Sequence, residues 1–105
     1  MPNTAKKLFR GAATTTLTTN LYTVPAATTT VITSIVVTNT ASSAGTFTLS
    51  IGTAGSETAL FDAVAIAADT TTVIDLKQVL VATEVIDGGA SAITISFHIS
   101  GMEIA

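Results

Sequence analysis

The run Val31-Ile32-Thr33-Ser34-Ile35-Val36-Val37 constrains this chain more than any other stretch. Six of its seven side chains branch at Cβ. Such side chains are stiff at χ1, crowd a helix and pack well on a pleated surface, so the run reads as an extended strand. Leu21-Tyr22-Thr23-Val24 upstream reads the same way and stops at Pro25, which cannot donate to a ladder. Leu21 to Asn39 is therefore strand, proline-marked bend, then a long central strand. Strict alternation puts Val31, Thr33, Ile35 and Val37 on one face and Ile32, Ser34, Val36 and Thr38 on the other. Both sets contain apolar groups, which predicts cover on both sides.

The rest of the chain repeats this style. Residues 14–24 read as a strand and 39–45 as a turn. Residues 46–51 alternate, with Phe47, Leu49 and Ile51 inward, and the expected partner is the preceding strand in a hairpin. Residues 52–58 form a loop, and 59–68 and 70–76 read as strands. Residues 77–82 suit one helical or 3₁₀ turn, and 83–86 a short strand. Asp87-Gly88-Gly89 is a turn signal. Residues 92–100 close the pattern, with Ile93, Ile95, Phe97 and Ile99 inward. Threonine fills 22 of the 105 positions, which favours extended backbone throughout. The expectation is an all-β fold: a compact antiparallel β-sandwich or jelly-roll-like barrel of about seven to eight short strands. Residues 14–105 would form its single domain, and residues 1–13 an N-terminal arm or edge strand.

Only 10% of the residues are charged, against about 25% in an ordinary soluble domain. Mean hydropathy is +0.65, yet no apolar run is long enough to span a bilayer as a helix. Few charges leave a sheet little protection against edge-to-edge association, so much of the surface is expected to be covered by like or unlike subunits. The net charge of −3, with four Lys and Arg in all, argues against nucleic acid and against an anionic membrane surface as partners. Lys6, Lys7 and Arg10 are followed by threonines rather than an apolar stretch, so no secretory signal is expected. The chain has no cysteine, which removes disulfides and thiolate chemistry.

No residue pattern spells a catalytic or cofactor site. His98 is the single histidine, has no cysteine partner, and by alternation points away from the apolar face of its strand. The seven acids stand singly, with no calcium-loop spacing, and a carboxylate pair acting across strands would need a cleft. Asp62 and Asp75 read as solvated or as cross-strand partners of Lys77. Gly52-Thr53-Ala54-Gly55-Ser56 lacks the Gly-Lys-Ser/Thr ending of a phosphate cradle. The expectation is a protein that is not an enzyme and uses no metal or cofactor.

One constellation suggests contact with a partner. Residues 1–13 hold three of the four basic side chains around an apolar pair. They are either a solvated terminus or an arm that docks through Lys6, Lys7, Leu8, Phe9 and Arg10 on an acidic or apolar neighbour.

Leu21-Tyr22-Thr23-Val24-Pro25-Ala26, with the Thr- and Val/Ile-rich residues that follow to Asn39, resembles small structural proteins of tailed bacteriophages. So do Phe61 to Ile66, Asp75-Leu76-Lys77 and the ending Phe97-His98-Ile99-Ser100-Gly101-Met102-Glu103. The likeness spans residues 21–103 and leaves the first twenty outside it. It implies a virion component: a decoration (cement) protein on the head, bound to the major capsid protein and oligomeric, a trimer if it sits at threefold positions of the shell. The alternative it implies is a tail- or fibre-associated module that binds a host-surface ligand. It implies no catalytic residues.

Overall fold

The computed structural model describes residues 3–105; Met1 and Pro2, the first two residues of the expected arm, lie outside it. Eight strands follow one another: β1 (Asn3–Ala12), β2 (Thr19–Thr23), β3 (Thr29–Asn39), β4 (Gly45–Gly52), β5 (Thr58–Ile66), β6 (Thr70–Leu80), β7 (Val85–Ala90) and β8 (Ile95–Ile104). They form two four-stranded antiparallel sheets. Sheet A runs β1-β8-β3-β6 and sheet B runs β2-β7-β4-β5.

That order follows from rolling up one long hairpin. The loop between β4 and β5 is its tip, where Gly52 and Gly55 take φ of 135° and 87° and Ser56 N–H donates to Thr53 O at 2.8 Å. Behind the tip, β3 pairs with β6, β2 with β7 and β1 with β8. Rolling the ribbon then zips β3 onto β8 and β4 onto β7. The result is a jelly-roll sandwich.

The inner faces hold the core. Ile32, Ile35 and Val37 of β3 and Ile95, Phe97 and Ile99 of β8 meet Phe47 and Leu49 of β4 and Ile86 of β7, all essentially buried. Burying each such side chain contributes about 1.5–3 kcal/mol. The Phe47 ring crosses between the layers, 6.1 Å edge-on from Phe97 and 5.9 Å from Phe61.

The alternation expected for β3 breaks at Thr33. Its registers against β6 and β8 both slip between Ile32 and Ser34, so the inward set is Thr30, Ile32, Ile35, Val37 and Asn39. A β-bulge inserts one residue and resets the phase, which a count of alternate positions cannot see. β1 slips in the same place, between Lys7 and Phe9, opposite Ser100 and Ile99. The irregularities in β1, β3 and β6 therefore line up across the sheet beside Ser100 and Gly101 of the unbroken β8. Gly101 is needed there: a Cβ on it would lie 2.3 Å from Val31 O and 2.9 Å from Leu8 Cδ1.

Several local expectations are corrected. β3 and β4 do not form a hairpin, because the Asn39–Gly45 connection carries the chain from sheet A to sheet B. Asp87-Gly88-Gly89 is not a turn but the buried middle of β7. The glycines admit neighbouring backbone: a Cβ on Gly88 would lie 2.4 Å from Thr48 O, and one on Gly89 would lie 2.4 Å from Thr16 O. Residues 14–18 are not strand but a loop folded over Gly89, tied by Ala90 N–H to Thr14 O at 2.9 Å. Lys77 belongs to β6, which runs on to Leu80, so no helical turn forms there. Ile93 precedes β8 in its turn and is 69% exposed.

Candidate interaction surface

The outer face of sheet A gathers most of the polar chemistry that the sequence scatters. Cross-strand partners share a face, so the registers give its rows. Ala5, Met102, Val31 and Val79 form one row. Lys7, Ser100, Ser34 and Asp75 form the next, and Arg10, His98, Val36 and Val73 the one after. Lys77 joins at the bulge. A furrow of about 380 Å³ lies along the bulge line between Lys6, Lys7, Arg10, Thr33 and Ser100, and a second of about 380 Å³ continues past Thr33 to Asp75 and Lys77. Thr33 Oγ1 donates to Ser100 O at 3.2 Å along this line.

All four Lys and Arg residues of the chain thus border one face, together with its single histidine. Lys6 is held at 3.4 Å by Glu103, which leaves Lys7, Arg10 and Lys77 exposed with Asp75 as the one acid among them. Glu57, Asp62, Asp69, Glu84 and Asp87 belong to sheet B or to the loops. A chain of net charge −3 therefore carries one locally cationic face.

The expected docking residues divide in two. Lys6, Lys7 and Arg10 are exposed, but Leu8 is 6% exposed and part of the core, and Phe9 packs half-buried against it. The bulge turns both side chains inward. The apolar pair therefore fastens β1 to the sandwich, and β1 is the edge strand of sheet A rather than a solvated terminus. Lys77 and His98 join the basic group from β6 and β8. They lie 65 and 86 positions beyond Ala12, the last residue of β1, and only the rolled topology shows that they share its face.

Two other polar groups are structural. At one end of the sandwich the Tyr22 hydroxyl reaches from β2 to sheet A, donating to Glu103 Oε2 at 2.5 Å and lying 2.9 Å from the Thr30 hydroxyl. Burial, and then the bond to Glu103, push the Tyr22 hydroxyl up to about 12. Asp87, 8% exposed, has its Oδ1 buried without a hydrogen-bond partner among the described residues. Burial, and then the neighbouring Glu57 carboxylate, push the Asp87 carboxyl up to about 6, and the hydrogen bond with Asp87 holds Glu57 below the usual range. Asp62 and Asp75 are exposed.

A cleft of about 330 Å³ opens between β5 and the end of β6, lined by Ile51, Leu60, Val79 and Leu80 with Glu84 as its one ionisable group. Glu84 Oε1 is committed to Val81 N–H at 2.8 Å. Among the described residues no three His, Cys, Asp or Glu side chains come together as metal ligands would. No protein-family model matches the chain, and no curated protein is significantly similar to it.

Proposed function

We propose that this protein is a non-enzymatic structural component of a tailed-phage virion: a decoration protein that docks on the assembled head and bridges capsid subunits. The observation that carries the reading is the outer face of sheet A, where Lys7, Arg10 and Lys77 outnumber the acid Asp75 on a surface otherwise poor in charge. Such a face suits an acidic protein partner, because complementary charge steers encounter and fixes register while the uncharged area packs. The resemblance of residues 21–103 to small phage structural proteins supplies the class of partner. Jelly rolls occur among viral capsid domains and also among lectins, so the fold accommodates both the head and the host-ligand alternative. Repetition over a lattice makes weak individual contacts sufficient to resist rupture.

The test is co-sedimentation with heads of the phage that encodes the chain, prepared without it. The expected result is saturable binding at a copy number set by the head lattice, weakened by salt. Combined Lys7→Glu and Arg10→Glu should reduce affinity tenfold or more. Absence of binding, or binding that ignores the charge reversal, would overturn the proposal. Binding to an array of glycans instead would move the protein to the tail reading.

A further inference from the structure

Three of the four sheet edges carry a feature that discourages pairing with another chain. β1 bears Lys6, Lys7 and Arg10, and like charges repel across a ladder. β2 is five residues long and slips in register. β5 slips twice and holds Ala63 at φ 50°. β6 differs. It is an 11-residue edge with one charge of each sign. Its register against β3 slips where Leu76 and Lys77 oppose the single Thr33, yet burial alternates without a break, even-numbered residues inward from Ile74 to Leu80 and odd-numbered residues outward. Val73 and Val79 are 64% and 61% exposed on its outer face. The adjoining edge, β5, presents Ala59, Asp62, Ala63, Val64 and Ala65 at exposed positions, a run broken by its two register slips.

We propose that β6 pairs antiparallel with β6 of a second copy of this chain, across a twofold axis at Leu76. In that register Asp75 faces Lys77 of the second copy, and the symmetry makes the ion pair twice. Val73 faces Val79 in the same way, a β-branched cross-strand pair on the same face. Moving the axis one residue toward either charge sets Asp75 against Asp75 or Lys77 against Lys77. A slip that opposes odd to even residues turns one copy's outer face inward. The strand is thus complementary to itself in one register. Two four-stranded sheets join into one of eight, and their unpaired backbone groups satisfy each other. This inference does not depend on the virion reading, and it differs from the threefold assembly that the phage likeness implies.

The test is sedimentation equilibrium of the full chain over a concentration series. The expected species has twice the 10.6 kDa of one chain. Asp75→Lys alone and Lys77→Asp alone should each weaken the dimer about tenfold or more, because each opposes like charges twice. Combining the two should restore it. A monomer at every concentration, a trimer, or a dimer indifferent to the single changes would overturn the proposal. Should a charge variant lose its circular-dichroism spectrum, Val73→Cys with Val79→Cys gives a second reading in a chain with no other cysteine. Within one strand these positions are about 20 Å apart, too far to bridge. Oxidised glutathione should therefore yield a covalent dimer on a non-reducing gel, and a persistent monomer would overturn the proposal.

Discussion

Asp87 shows how one side chain escapes a reading of composition. Followed by two glycines it has the signature of a turn, yet it lies in a buried strand with Glu57 against it. The legible signal is small-residue permissiveness; what the glycines accommodate, other backbones at 2.4 Å, depends on Thr48, 40 positions from Gly88, and on Thr16, 73 positions from Gly89. The consequence is a pH dependence. The folded Asp87 carboxyl titrates near 6, above the unfolded value of about 3.9. The folded state therefore binds the extra proton, and this contribution to stability is full below the unfolded value and lost as pH rises through 6. Glu57 shifts the other way, so below its unfolded value of about 4.3 it offsets the gain. Thermal unfolding should show a higher midpoint at pH 5 than at pH 7.5. Asp87→Asn, which keeps a donor toward Glu57 without the charge, should raise the midpoint at pH 7.5 and flatten the difference. A variant less stable at pH 7.5 would contradict this account of the pair.

Strands were the readable elements, because β-branching and period-two patterns are local properties. The Val31–Val37 run, the Phe47–Ile51 alternation and the Ile95–Ile99 alternation all fall within strands, and the sandwich is all-β. Bulges and crossings between sheets were not readable. Thr33 differs in no compositional way from its neighbours, yet it resets the phase of β3. The aligned bulges place a specific demand on β8, where Val31 O and Leu8 close over Gly101. Gly101→Ala should cost about 1–3 kcal/mol through overpacking, read as a lower urea midpoint. Gly11→Ala, whose new methyl would meet only Phe9 at 3.6 Å, should stay within about 0.5 kcal/mol of the parent. Equal costs at the two positions would show that the bulge line tolerates a side chain.

The molecule as a whole is a ribbon whose first and last strands are neighbours, with Asn3 opposite Ile104. β1 covers the free edge of β8 and supplies Leu8 to the core, so residues 3–12 belong to the folding unit. A chain lacking them should lose cooperative unfolding or aggregate from the uncovered β8 edge, as light scattering would report; a truncated chain with the parent's melting curve would show that β1 is dispensable. Docking is for this reason better probed by reversing charges than by shortening the chain. The basic face is half legible in the sequence: Lys6, Lys7 and Arg10 lie within five residues of one another, whereas Lys77 and His98 reach them only after the ribbon rolls. The placement of residues 3 and 104 also has a practical side. A passenger attached next to Asn3 or next to Ile104 would emerge at the same corner, three strand spacings (about 14 Å) from β6 on β1 and two (about 10 Å) on β8. In the twofold arrangement two passengers would ride on opposite flanks, leaving the seam between copies clear and making the protein a scaffold for paired display.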